Sequence, residues 1–204
     1  MAYDPTRHNR RSIRLSEYDY RSPGAYFVTT CTADRRGLFG TVENGRMRLN
    51  DYGRVVAEEW QRTESVRDRV VIDTFVVMPN HTHGVIIITD PPDADSERES
   101  SSSTDGAGNT HGRSSTAMSP YHGEPPDRTF GGAIAGSLST IMRQFKSMVT
   151  KRINRMRGTS GAAVWQRNFY ERVVRNRAEL DRIRQYIRRN PAQWHQDRNR
   201  PPER

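Results

Sequence analysis

The sequence is poor in cysteine and in apolar residues. Cys31 is the single cysteine among 204 residues, which excludes an internal disulfide framework and a zinc site built on cysteines. Only 33% of the residues are hydrophobic and the mean hydropathy is −0.92, so part of the chain is expected to lie outside any packed core. The longest apolar runs have the length of a strand, which argues against a membrane span. The first residues hold no apolar stretch of the secretory kind, and a cytoplasmic location is expected.

Positive charge is in excess, and arginine carries most of it. The 33 lysines and arginines outnumber the 24 aspartates and glutamates, which gives a net charge of +9 and an isoelectric point near 10.3. Guanidinium groups match phosphate oxygens with paired hydrogen bonds and stack on bases. The composition therefore favours nucleic acid as the partner. An anionic membrane surface is the second choice, and the short apolar runs argue against it.

Composition divides the chain into distinct parts. Residues 1–24 form a polar, basic arm. Residues 91–130 are acidic and rich in serine, proline and glycine, which predicts a disordered insertion, because such a segment buries too little apolar surface to fold. The segments 25–90 and 131–197 on either side are predicted to form one domain. Residues 198–204 are a polar tail.

Local patterns predict an α+β order of strand, hairpin, helix, hairpin, helix, strand and helix. The predicted strands, rich in β-branched and aromatic residues, cover 25–32, 38–42, 46–49, 70–78 and 82–89, with a strand or extended segment over 163–174. The Asn44-Gly45 pair predicts a tight turn in the first hairpin. Asn50, Ser137 and Asn176 are predicted N-caps of helices that end near residues 64, 157 and 190.

Two histidines stand one residue apart at the start of an apolar strand. Side chains alternate along a strand, so His81 and His83 point to the same side and can bind one metal ion. The pattern also fits two surface histidines at a turn, since the preceding Pro79-Asn80 pair favours one. The two residues alone leave both interpretations open.

The last predicted helix carries a tyrosine and an amide on one face. Tyr186 and Asn190 are four residues apart, at the border of the apolar stripe formed by Leu180, Ile183 and Ile187. At that border both side chains can reach the adjacent sheet. The local pattern equally fits a tyrosine at the edge of the core and an asparagine that ends the helix.

Basic side chains are expected to contact DNA from several regions. Residues 134–204 hold seventeen lysines and arginines against five acidic residues, which favours phosphate contacts over a merely solvated face. The candidates are Arg10, Arg11 and Arg14 in the arm, Arg143, Lys146, Lys151, Arg152 and Arg155 in the second predicted helix, and Arg167, Arg182 and Arg189 further on.

Two motifs resemble those of a known family. The HUH motif of single-tyrosine transposases, which act on single-stranded DNA, is similar to MPNHTHG at residues 78–84, although Thr82 replaces the usual bulky hydrophobe. The REP-associated branch of these transposases resembles VWQRNFYE at residues 164–171 together with YIRRNP at residues 186–191. The likeness covers roughly residues 11–90 and 134–197, and it omits the insertion.

The resemblance implies a ferredoxin-like antiparallel sheet with helices on one face. It also implies a metal-dependent endonuclease and strand transferase for single-stranded DNA with hairpins, located with the chromosome in the cytoplasm. Tyr186 would be the nucleophile that forms a 5′-phosphotyrosine. His81, His83 and Asn190 would be ligands of Mg²⁺ or Mn²⁺. Related transposases are monomers or homodimers, and the sequence leaves that choice open.

Other functions and another nucleophile remain open at this stage. The chain fits a catalytically silent, sequence-specific DNA-binding regulator, or a metal nuclease that uses water in place of a tyrosine. Tyr170 is a rival nucleophile. No metal-ligand residue lies four positions from it on a helix, so packing or base stacking is the preferred interpretation for Tyr170.

Overall fold

The computed structural model describes residues 19–90 and 136–200. The chain divides into one unit made of Met1–Asp90 with Ala133–Arg204, and a second unit, Pro91–Gly132. The predicted insertion therefore lies outside the described residues. So do most of the predicted arm, including Arg10, Arg11 and Arg14, and the residues from 201 onward.

The described ranges contain six strands and three α-helices in the predicted order. The strands are β1 (Gly24–Cys31), β2 (Gly40–Glu43), β3 (Arg46–Leu49), β4 (Val70–Val77), β5 (His81–Ile88) and β6 (Tyr170–Val174). The helices are α1 (Asp51–Ser65), α2 (Leu138–Met156) and α3 (Arg177–Arg189). A 3₁₀ helix, Pro191–Gln196, follows α3 and was not predicted.

Four strands form an antiparallel sheet in the order β4-β5-β1-β6, while β2 and β3 form a separate hairpin. The α+β fold class is therefore confirmed. In the register of β1, Thr29 pairs with His83 of β5 on one side and with Tyr170 of β6 on the other. This register brings the histidine strand and the C-terminal part of the chain to one central strand.

The helices begin where the sequence predicts them to begin. The side chains of Asn50, Ser137 and Asn176 each accept a hydrogen bond from the backbone N–H three residues on, at 3.0, 3.3 and 2.9 Å. These bonds satisfy amide groups that have no partner inside the helix. All three predicted N-caps are confirmed.

One face of the sheet carries the main core beneath α1 and α2. Trp60 of α1 lies against β5 at Gly84 and meets Phe145 of α2 edge-on, with ring centroids 5.0 Å apart. A Cβ atom at position 84 would lie 2.2 Å from the Trp60 ring, so only glycine fits there. Val28 and Ile86 are fully buried on the same side.

The third helix packs on the opposite face, which corrects the prediction that all helices share one face. The guanidinium of Arg184 on α3 binds both carboxylate oxygens of Asp73 on β4, at 2.8 and 2.9 Å. The Tyr186 hydroxyl of α3 reaches His83, whose side chain points away from Gly84 and α1. The sheet therefore separates the main core from the histidine face. No described helix is long and apolar enough to cross a membrane.

Candidate active site

Strand β5 presents His81 and His83 side by side. Their ring centroids are 4.5 Å apart, and the two residues are 0% and 3% exposed. Surface histidines at a turn do not fit this burial. The alternation of the strand brings two imidazoles to one point on the face covered by α3.

Asn80 fixes the protonation pattern of the His81 ring. Its amide nitrogen donates to the backbone carbonyls of Arg35 and Asn199, at 2.8 and 2.7 Å. Its amide oxygen therefore faces Nδ1 of His81, at 2.8 Å, and accepts the proton that this nitrogen carries. Nε2 of His81 is left with a free lone pair, as in a metal-ligating histidine held by an outer partner.

His83 is held from both sides of its ring. Its Nδ1 lies 2.7 Å from the hydroxyl of Thr29 on β1, and its Nε2 lies 3.1 Å from the hydroxyl of Tyr186 on α3. The ring of Phe27 stacks on His83, with centroids 5.5 Å apart. The tyrosine and the histidine pair, about a hundred residues apart in sequence, therefore belong to one site.

Asn190 and Asp197 close the site from the C-terminal side. Asn190, the C-cap of α3, is 2% exposed, and its amide nitrogen donates to Oδ2 of Asp197 at 3.1 Å. The same oxygen lies 3.7 Å from Nε2 of His81. The 3₁₀ helix between the two residues brings the carboxylate back to the histidines.

Burial determines the charge state of the ionisable groups. It lowers the pKa of His81 to about 4, although Asp197 and Asn190 act in the opposite direction. Burial, and then the neighbouring His81, hold the pKa of His83 well below its usual range. Burial, and then the charge of Asp197, raise the pKa of the Tyr186 hydroxyl. At neutral pH both imidazoles are therefore uncharged and the phenol keeps its proton.

The residues present fit a divalent cation. Among the described residues, Nε2 of His81 and Oδ1 of Asn190 are buried without a hydrogen-bond partner. Both atoms are acceptors, and a cation satisfies such atoms. His81, His83 and Asp197 each offer a ligand atom, and these three atoms lie within 4.8 Å of one another. Neutral imidazoles with amide and carboxylate oxygens form a ligand set for a divalent ion.

A pocket opens beside Tyr186 between the sheet and α3. We call it the tyrosine pocket. Its volume is about 660 Å³, within the range of ligand-binding sites. Its walls include the aromatic rings of Phe27, Phe169 and Tyr170, and Ile183 and Arg182 of α3.

A second hollow runs along the outer side of α2. We call it the basic cleft, and its volume is about 1,060 Å³. Arg143, Lys151, Arg155 and Arg167 line it, and none of them forms an ion pair within the described ranges. Its lining contains no acidic residue. The cleft meets the tyrosine pocket at Gln166 and Phe169, which line both.

The other predicted DNA contacts lie in different settings. The Lys146 ammonium donates to the carbonyls of residues 166, 167 and 168, at 2.6, 3.0 and 3.3 Å. Arg152 pairs with Glu58 and Glu59. Arg182 lines the tyrosine pocket, and Arg189 is exposed near the end of α3. The charged groups of Lys146 and Arg152, which the sequence predicts to contact DNA, therefore bind other parts of the protein and stabilise the fold.

Two site residues are not predicted by the sequence motifs. Asp197 is the single acidic residue between positions 182 and 202 of a strongly basic segment, a signal that singles it out. The sequence predicts Asn80 only as a turn residue, yet it is fully buried against His81. Its position directly before the histidine pair was the available signal.

Comparison with solved structures identifies the class of fold. A structure of a REP-associated tyrosine transposase bound to a REP hairpin superposes with a TM-score of 0.50, over 95% of this chain and 89% of that one. The sequence identity is 16%, so the likeness is one of fold.

Sequence comparison then identifies the relatives. No family profile matches the chain. A protein of Haemophilus influenzae, itself uncharacterized, is 34% identical over 195 residues, which cover 96% of this chain and 95% of that protein. The chain belongs to the same family as this Haemophilus influenzae protein.

Proposed function

We propose that this protein is a metal-dependent endonuclease and strand transferase that cuts single-stranded DNA by means of Tyr186. The observation that carries the proposal is the hydroxyl of Tyr186, 3.1 Å from Nε2 of His83 in a buried group of potential metal ligands. A histidine pair beside a tyrosine provides both a cation site and a nucleophile. The transposase-like fold supports the same reading.

His81, His83 and Asn190 would hold Mg²⁺ or Mn²⁺, with Asp197 as a further oxygen ligand. A bound cation would withdraw charge from the phosphate oxygens and make the phosphorus more electrophilic. Asn80 and Thr29 hold the outer nitrogens of the two imidazoles. The imidazole nitrogens that would bind the cation are thereby oriented before the cation binds.

The phenol oxygen of Tyr186 attacks the scissile phosphorus. The bond between this oxygen and phosphorus forms while the bond from phosphorus to the 3′ oxygen breaks. The phenol loses its proton, the 3′ oxygen gains one, and the products are a 5′-phosphotyrosine and a free 3′-hydroxyl. The phosphotyrosine keeps the bond energy of the phosphodiester. A 3′-hydroxyl that attacks this phosphotyrosine therefore rejoins the DNA without ATP.

The DNA would lie along the basic cleft. Arg143, Lys151, Arg155 and Arg167 supply positive charge that suits a phosphate backbone. The transposase of similar fold is bound to a REP hairpin, so we infer a hairpin-bearing substrate here, encountered at the chromosome. All proposed site residues come from one chain, so a single copy suffices to build the site.

The test is a cleavage reaction with hairpin oligonucleotides labelled at the 5′ or the 3′ end, in Mg²⁺ or Mn²⁺. The wild-type protein is expected to give a covalent protein–DNA band that retains the 3′ label and resists denaturation. Tyr186→Phe should abolish this band, because the nucleophilic oxygen is gone. His81→Ala should abolish cleavage while hairpin binding persists.

Tyr170→Phe is the matched control, because it removes the hydroxyl of the rival tyrosine and keeps its ring. It should cut like the wild type. Cleavage that survives Tyr186→Phe without an adduct would indicate a nuclease that uses water. Binding without cleavage in either metal would indicate the silent regulator.

A further inference from the structure

Two aromatic residues with exposed side chains line the tyrosine pocket. Five large hydrophobic residues are exposed in the described ranges, and two of them, Tyr170 and Tyr186, line this pocket. Tyr170 is 39% exposed. Aromatic rings left open to solvent in a concave site favour a flat ligand that covers them.

The rings form a connected group around Phe27. Its centroid lies 6.2 Å from that of Tyr170 and 6.1 Å from that of Tyr186, with both rings edge-on to it. Since Tyr170 and His83 pair with the same residue of β1, they stand two strands apart, roughly 10 Å by the strand spacing. Tyr170 therefore lies beside the cation site and outside it.

Cationic groups accompany the aromatic ones. Arg182 of α3 lines the pocket and is exposed, and it forms no ion pair with any described residue. Arg172 is held by the buried carboxylate of Glu179, at 2.5 Å. A pocket with exposed rings and an available guanidinium matches a nucleotide, which has a flat base and a charged phosphate.

We propose that the tyrosine pocket binds the unpaired base next to the scissile phosphate, with Tyr170 as the positioning residue on which this base stacks. The inference rests on the proposed function. Phe27 and Phe169 complete the aromatic surface, and Arg182 faces the adjoining phosphate. The stacked base fixes which phosphate lies before Tyr186, so the pocket determines the position of the cut.

The test uses full-length protein carrying Tyr186→Phe, so that DNA binds without being cut. Hairpins with single-stranded flanks carry the fluorescent base 2-aminopurine at one flank position at a time. Stacking should quench the fluorescence at one position. Adding Tyr170→Ala should remove this quenching and weaken binding about 5- to 150-fold, whereas Tyr170→Phe should preserve both.

Val71→Ala is the matched control, since Val71 is equally exposed, at 39%, on the opposite edge strand β4. It should leave the quenching unchanged. A DNA-side variant covers the case in which Tyr170→Ala folds poorly. An abasic site at the quenched position should weaken binding to Tyr186→Phe protein, whereas an abasic site at an unquenched flank position should leave binding unchanged.

Quenching at no flank position, or quenching that survives in well-folded Tyr170→Ala protein, would overturn the inference. Cleavage by the wild-type chain in either case would leave the proposed function standing. Position-specific quenching in the Tyr186→Phe protein, together with no cleavage by the wild-type chain, would support the base pocket and contradict the nuclease.

Discussion

Asn80 shows how one neutral side chain orients the proposed cation site. Two backbone carbonyls hold its amide nitrogen, so its oxygen faces His81 Nδ1. If the oxygen were removed, the buried N–H of His81 would lose its acceptor, and the ring could move its proton to Nε2. The orientation of the proposed ligand atom therefore depends on a residue that is not itself a proposed ligand.

We expect Asn80→Ala to raise the Mn²⁺ dissociation constant about 10- to 100-fold, as is typical when an outer partner of a ligating histidine is lost. Isothermal titration calorimetry measures this change. Thr82→Val is the control. This change removes the 2.7 Å hydrogen bond between Thr82 and Thr30 of β1, which lies on the face of the sheet away from the histidines. It should lower stability without changing Mn²⁺ affinity. Wild-type Mn²⁺ affinity in Asn80→Ala would contradict this role.

At the scale of elements, α2 has a different function on each side. Its inner side, with Ile141, Phe145 and Val149, is buried in the main core. Its outer side lines the basic cleft, and Lys146 ties the helix to the carbonyls of the segment before β6. The helix therefore positions both a charged surface and the wall that this surface shares with the tyrosine pocket.

The double variant Arg143→Ala with Lys151→Ala should weaken hairpin binding and its dependence on salt. Each lost phosphate contact lowers the magnitude of the slope of log K against log salt by about 0.7 to 0.9, so the pair should lower it by about 1.4 to 1.8. Fluorescence anisotropy at several salt concentrations measures this slope.

Arg152→Ala removes a guanidinium from the same helix, but this guanidinium already pairs with Glu58 and Glu59. Its effect on the salt slope should be clearly smaller. An equal effect of the two changes would show that the charge of α2 acts only as a diffuse field. An unchanged slope in the double variant would contradict DNA contact at the cleft.

At the scale of the whole molecule, features set by neighbours in sequence were predictable. Asn44 and Gly45 both adopt positive φ angles, 49° and 70°, as the predicted tight turn requires. Helix caps likewise depend on side chains three residues from their partners. The predicted order of strands and helices follows from such local signals.

Features set by contacts between distant segments were missed. The face on which α3 packs depends on the Arg184 pair with Asp73, more than a hundred residues away. Asp197 reaches the site because a 3₁₀ helix precedes it, and no periodicity in the sequence predicts this helix. Sequence likewise shows the charge of Lys146 but not its carbonyl partners. The roles of Tyr186 and of the histidines remain predictions that came from the joint motif.

Deleting residues 92–128 should leave the fold stable. The described ranges build a buried hydrophobic core among themselves, and the ends to be joined are close, because Ile88 pairs with Gly24 while the amide of Leu138 donates to Tyr20. The eleven remaining residues, 89–91 and 129–136, can span about 36 Å when extended. The melting temperature should change by less than about 2 °C, equivalent to less than 1 kcal/mol. A drop of several degrees in a calorimetric scan would contradict the prediction.

The way in which β1 joins its two neighbours bears on the order of folding. Pairing of Cys31 with His81 closes a loop of about 50 residues, whereas pairing of Ala25 with Val174 closes one of about 150. Long loops cost more chain entropy and close late. We therefore expect the histidine strand to join the sheet before the tyrosine helix arrives. A chain that has only partly folded then holds half of the site, and the proposed capacity to cut DNA would be acquired with the last step of folding.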